Sequence, residues 1–263
     1  MIWLVARLRH DFAAWDRATR LAFVLGVALL LIAIITAIIA PAEARLPLLI
    51  GAGLLLIVLE ATVLWGNRGM VSAYTRAQRL YLEGNLEGAR DLLEAVRPKA
   101  NARVLTLLGN TYRQLGDLDQ SEAVLSEAVD KAPKHYFSFY GFGRTLLSEG
   151  RYVEAAEMLR RALELGAPTV VQVDLAEVYY RLNQPNEALV ALQNVDTNEP
   201  PRALMISYLR YRLDQAPPPA PELVSEGVTY WQALAERFRA TPYGQALLLD
   251  VREMLNQGTQ THV

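Results

Sequence analysis

The hydrophobic pattern of this sequence changes character near residue 68. Leu21 to Ala40 is a run of twenty residues without a charge. A helix rises about 1.5 Å per residue, so this run spans roughly 30 Å, the hydrocarbon thickness of a bilayer. Pro41-Ala-Glu-Ala-Arg45 follows as a short polar turn, and Leu46 to Trp65 is a second apolar run broken only by Glu60. Pro47 stands near the start of that run, where a missing N–H does little harm. The pattern predicts a helical hairpin over 21–68, with membrane spans at 21–40 and 46–65. Ala42-Glu-Ala44 mimics a small-residue cleavage site, but the apolar run exceeds a signal peptide's usual 7–15 residues. A hairpin buried in a soluble core is the other alternative.

The arginines orient the hairpin. Arg7, Arg9, Arg17 and Arg20 precede the first span, Arg68, Arg76 and Arg79 follow the second, and the turn carries only Arg45. The positive-inside rule then puts both termini in the cytoplasm of a two-pass protein of a bacterial inner membrane. A periplasm-facing array would need the reverse topology. Within 1–20, Ile2, Trp3, Val5, Leu8, Phe12 and Trp15 alternate with polar residues in a pattern that fits an amphipathic helix in the membrane interface, in contact with lipid. Glu60 is an acid inside a span, which makes it a functional candidate by default. It lies close enough to Trp65 to reach headgroups, and a contact with a transmembrane partner stays open.

Beyond Met70 the apolar positions recur with helical spacing in segments of about twelve residues. The segments repeat. Gly116-Asp117-Leu118 is echoed by Gly150-Arg151-Tyr152, by Gly84-Asn85-Leu86 before it and by Asn183-Gln184-Pro185 after it. Behind each turn stand a small residue, a large apolar one and a small or β-branched one: Ala89, Leu93 and Val96; Ser121, Leu125 and Ala128; Ala155, Leu159 and Ala162; Ala188, Leu192 and Val195. Pro98, Pro133, Pro168 and Pro200 close the units. With Leu105, Leu108-Gly109, Tyr112, Gly116, Leu118, Leu125, Ala128 and Pro133 in the second copy, this series resembles the tetratricopeptide repeat (TPR) family. The third copy starts at Tyr136 and the fourth near Thr169. In the first, Arg76 stands where an apolar residue is expected.

The physics of such a repeat is simple. One helix pair cannot bury its own apolar face, so copies stack into a superhelix. The expected fold class is therefore all-α: a two-helix transmembrane hairpin, then a TPR α-solenoid with C-terminal capping helices. About four copies occupy 69–202. Ala203 to Gln215 begins a degenerate fifth, Ala216-Pro-Pro-Pro-Ala-Pro221 forms an extended linker, and Glu222–Arg239 and Pro242–Gln257 complete the capping unit, 203–257. A disordered tail is expected at 258–263.

Composition removes several chemistries. There is no cysteine and there are three histidines far apart in sequence, so no thiolate or multi-histidine metal site is expected, and no cofactor. Arginine supplies almost all the basic charge, and Lys99, Lys131 and Lys134 are the lysines. The part beyond residue 68 holds 20 basic and 24 acidic residues, which argues against a nucleic-acid surface. The phosphate-loop, zinc-protease and nucleophile-elbow patterns are absent, and no enzymatic role is expected.

Binding is the better-motivated role. In the family that the sequence resembles, the first helix of each copy lines a concave groove through positions that share one helical face. The resemblance assigns Val71, Tyr74, Gln78 and Tyr81 to this wall, then Arg103, Thr106, Asn110 and Arg113, then Phe137, Tyr140, Arg144 and Leu147, and last Val170, Val173, Glu177 and Tyr180. Its middle is basic, and arginine forks suit carboxylates. The expected partner is a protein, engaged through an acidic segment or a polypeptide C-terminus. The alternative is a wall of arginines that only meets solvent.

Overall fold

The structure, a computed structural model, describes residues 17–67, 73–195, 197–213 and 215–260. It divides into two compact units, 1–75 and 76–263.

The N-terminal unit is an antiparallel pair, α1 (Arg17–Ile39) and α2 (Ala42–Asn67). Both are long and apolar enough to cross a membrane, with mean hydropathies of 3.1 and 2.3. Their large side chains, such as Leu25, Ile32, Ile39, Leu54 and Ile57, are exposed, unlike those of a core helix in a soluble protein. The helices meet through Ala37, Ala52 and Leu59, and a Cβ on Gly26 would lie 2.8 Å from the Leu59 side chain. The hydroxyls of Thr36 and Thr62 donate to the carbonyls of Ile32 and Val58, both at 2.8 Å, so they ask nothing of a surrounding apolar medium. The connection is tighter than the expected five residues. Ala42, Glu43, Ala44 and Arg45 are helical, Glu43 meets the positive end of α2, and Arg45 Nε donates to the Ala40 carbonyl at 3.0 Å. Residues 17–20, expected in the interfacial helix, belong to α1. The rest of that helix lies outside the described residues.

From residue 73 onward the repeats are helix pairs. They comprise α3 (Ala73–Leu82) with α4 (Leu86–Val96), α5 (Ala102–Leu115) with α6 (Leu118–Lys131), α7 (Tyr136–Glu149) with α8 (Tyr152–Glu164), and α9 (Val171–Arg181) with the short α10 (Pro185–Ala191). The four repeated turns share one conformation: Gly84, Gly116, Gly150 and Asn183 have φ of 81°, 86°, 86° and 55°. That left-handed geometry ends one helix within a residue or two of the next. Asn85, Asn101 and Asp117 then cap α4, α5 and α6, each accepting from the backbone N–H three residues on. The repeating small and large positions form the interior: Ala89, Leu93, Ser121, Leu125, Ala128, Ala155, Leu159, Ala162, Ala188 and Leu192 are all buried.

The C-terminal part comprises α11 (Pro200–Arg212), α12 (Pro221–Arg237) and α13 (Pro242–Gln260). Helix α11 starts at Pro200, ahead of the expected Ala203, because proline is well placed in a first helical turn. Helix α13 continues to Gln260, into the stretch expected to be disordered; residues 261–263 lie outside the described set. Trp231, Leu234, Phe238, Tyr243, Leu247 and Met254 join the core of the third and fourth copies, and α13 packs against α7 as well as α12.

Candidate inner-wall binding site

The first helices of the pairs, α3, α5, α7 and α9, carry the residues expected on the inner wall, and these fall into two groups. Arg103 on α5 and Gln78 on α3 are exposed, while Tyr81, Asn110 and Phe137 are half-buried. Tyr74 is half-buried in the first turn of α3, within the N-terminal unit, and Val71 lies outside the described residues.

The second group faces the molecule's own C-terminal helices. Arg144 Nη2 donates to the Tyr230 hydroxyl of α12 at 3.3 Å, and Arg237 of α12 donates to Gln114 of α5. Glu177 is 1 % exposed; it accepts from Arg181 at 3.2 Å and from the Tyr243 hydroxyl of α13. Arg181 also pairs with Asp250 of α13, at 2.5 Å. The guanidinium groups of Arg181 and Arg212 lie over the Tyr180 ring, 5.4 and 5.8 Å from its centroid. Tyr208 of α11 donates to Asp250 at 2.9 Å. The C-terminal helices therefore occupy the wall of the third and fourth copies. The one advance sign was the aromatic content of residues 230–243, Tyr230, Trp231, Phe238 and Tyr243, more than a polar outer cap requires.

Burial sets the electrostatics here. It pushes the Glu177 carboxyl up against the opposing pull of Arg181, and it raises the Tyr243 hydroxyl as well. Tyr140, buried and donating to Asp174 at 2.8 Å, is pushed up to about 12. Asp174 also faces Arg144, at 3.9 Å. Burial works against the Arg144 charge, but Asp174, Tyr140 and Tyr230 together raise its pKa. Arg113 differs. It is 3 % exposed, and burial followed by the nearby Arg144 charge lowers it to about 10.

Residues Arg103 and Phe137 also line a cavity of about 430 Å³ with Lys131, Lys134 and His135 at the turn between the second and third copies. Lys131 is held there by Glu127 at 2.9 Å and the Ala100 carbonyl at 3.1 Å. Among the described residues no group of three or more His, Cys, Asp or Glu could hold a metal ion. Glu60, in the N-terminal unit, is exposed on α2.

Three family models, each described as tetratricopeptide repeat, match residues 70–95, 100–166 and 146–205. Among curated proteins the chain is similar to the rhomboid protease GluP of Bacillus subtilis (strain 168), with 39% identity over 67 residues. That match spans 25% of this chain and 13% of that protein's length. Among solved structures, TTC0263, a thermophilic TPR protein of Thermus thermophilus, superposes with a TM-score of 0.50 at 16% identity, covering 70% of this chain and 97% of its own. A structure of MamA from AMB-1 gives a TM-score of 0.46 at 18% identity, covering 69% and 98%. The likeness to TTC0263 supports the solenoid fold and nothing finer.

Proposed function

Because this chain belongs to the tetratricopeptide-repeat family through residues 70–95 and 100–205, we propose that it is a membrane-anchored scaffold that recruits or holds a protein partner, as an assembly factor or accessory subunit of a membrane complex. The hairpin is the anchor, with both termini in the cytoplasm of a bacterium, and the array is the receptor. The observation that carries this reading is the uneven inner wall. The wall of the third and fourth copies is filled by α12 and α13, whereas Gln78 and Arg103 are exposed and Tyr81 and Asn110 half-exposed. The receptor surface is then the wall of the first two copies and the start of α7. Its exposed cation Arg103, with Lys134 and His135 beside it in the same cavity, suits an acidic segment or a polypeptide C-terminus. The reading includes no catalytic step and no cofactor.

The test is affinity capture from a gentle detergent extract, comparing the intact protein with a Gln78→Ala/Arg103→Glu variant. The reading expects one partner to be lost selectively while the variant stays in the membrane fraction. Equal capture by both proteins would move the docking surface to the hairpin or to the outer helices.

A further inference from the structure

Glu60 is the polar exception of the N-terminal helix pair. Between Leu21 and Ile39 and between Leu46 and Leu64 the polar side chains are Thr36, Thr62 and Glu60. The two threonines satisfy themselves, because each hydroxyl donates to a carbonyl of its own helix at 2.8 Å. Glu60 is exposed on α2 and makes no hydrogen bond or ion pair among the described residues. Neither helix supplies a cation at its depth, since both apolar runs lack lysine, arginine and histidine. A carboxyl group in hydrocarbon is strongly disfavoured without a partner, whichever protonation state it takes.

Direction works against the simplest escape. Trp65 marks the nearer end of the span, five residues on and roughly 7–8 Å away along the helix axis. The Cα–Cβ bonds of a helix tilt toward its N-terminus. For α2 that is the Ala42 end, so the Glu60 side chain sets out away from Trp65 and into the apolar zone. Glu60 also belongs to an unpartnered face. Leu46, Ile50, Gly53, Ile57, Glu60 and Leu64 recur at spacings of three and four residues, and the large apolar members are exposed. The buried residues of α2, Ala52 and Leu59, lie on the other side of the helix. Gly53 stands two turns before Glu60, and a Cβ there would have nothing within 4 Å. Gly26 differs, since its Cβ would meet Leu59 at 2.8 Å. The hairpin's own packing thus accounts for Gly26 and not for Gly53. A glycine weakens a helix interior, but in a span it lets a second helix approach the backbone closely.

Charge complementarity selects the occupant. A second copy of this hairpin would bring another acid and no cation, and the hydroxyls of its spans are already engaged. The nearer lipid headgroups lie at the Trp65 end, from which the Glu60 side chain sets out in the opposite direction. We infer that this outer face of α2 docks one transmembrane helix of another protein, which packs on Gly53 and places a lysine, arginine or histidine opposite Glu60. The inference rests on the reading of the hairpin as a membrane anchor and deepens it. The anchor is itself a receptor, and its partner contact is separate from the inner wall of the repeats.

The experiment is photo-crosslinking of the full-length protein in cells, with the photoreactive residue at Ile57 or, as the control, at Ile32, exposed on α1. Membranes are washed at alkaline pH and the adducts identified by mass. A discrete protein adduct is expected from Ile57, and lipid adducts alone from Ile32. The crosslinked segment should be an apolar helix that carries a basic residue. Glu60→Leu keeps the span apolar enough to insert, and it should lower the protein adduct about fivefold, as should Gly53→Leu. Glu60→Lys should abolish the adduct, and changing the partner's basic residue to glutamate should restore it. Lipid adducts alone from Ile57, an adduct of two copies of this chain, or a partner helix without a basic residue would each overturn the inference. So would an adduct that Glu60→Leu and Gly53→Leu leave unchanged. Loss of the protein from washed membranes rejects the anchor reading and this inference with it, whereas retention with lipid adducts alone rejects this inference only. An Ile57 adduct that persists in the Gln78→Ala/Arg103→Glu variant supports a contact separate from the inner wall.

Discussion

Gly150 and Gly116 hold the same left-handed conformation in equivalent turns, with φ of 86° in both, yet they face different surroundings. A Cβ on Gly116 would meet open space, whereas one on Gly150 would lie 2.9 Å from Pro242 at the start of α13. Gly116→Ala should therefore lose only the conformational term, about 1–2 kcal/mol. Gly150→Ala should lose that plus the displacement of α13. Chemical denaturation of the two variants in detergent checks the order. Equal losses would mean that α13 does not bear on this turn. The buried pair is a second case at this scale. Asp250→Ala leaves Arg181 with Glu177 alone and should cost about 3 kcal/mol, since removing one partner strands the other charge.

At the scale of elements, the repeat pairs were readable because their markers are physical necessities. A left-handed turn requires glycine or asparagine, and Gly84, Gly116, Gly150 and Asn183 supply it. Close helix pairs require small residues, and Ala89, Ser121, Ala155 and Ala188 are fully buried. The two long apolar helices of the hairpin were equally plain from charge-free length. The fold of the C-terminal helices over the inner wall was not readable, because the contacts that fix it join residues far apart in sequence. Tyr230 with Arg144, Arg237 with Gln114 and Asp250 with Arg181 leave no local period. The residues expected on an inner wall were chosen by register, and register cannot say which of them stay open.

The cluster joining α6, α7 and α8 gives a pH test at the same scale. Arg151 bridges Glu122 at 2.6 Å, Glu149 at 3.1 Å, and Glu154. Burial, then the Glu122 charge, holds the Glu149 carboxyl above the ordinary glutamate range despite Arg151. A carboxyl raised on folding makes the folded state bind the proton more tightly, so wild-type stability is reduced at neutral pH and recovers as pH falls through the raised value. Glu149→Gln should be more stable than wild type at pH 7, and its advantage should shrink on acidification into the ordinary carboxylate range. Denaturation curves across that range test this, and an advantage independent of pH would contradict it.

For the whole molecule, an exposed apolar hairpin precedes a helical array whose inner wall is partly filled by its own C-terminal helices. The anchor reading predicts that the protein stays with membranes through alkaline wash and is released by detergent. A phosphatase reporter fused after Val263 should be inactive if the proposed cytoplasmic topology holds; an active fusion would turn the array toward the periplasm. The central claim, that the uncovered wall of the first two copies receives another polypeptide, is tested most directly by photo-crosslinking in cells. A photoreactive residue is placed in turn at Gln78 and Arg103, and at the exposed Arg160 on α8 as the outer-surface control. The account predicts one shared protein adduct from the first two positions and none from Arg160. An adduct from Arg160 with none from Gln78 or Arg103 would contradict it.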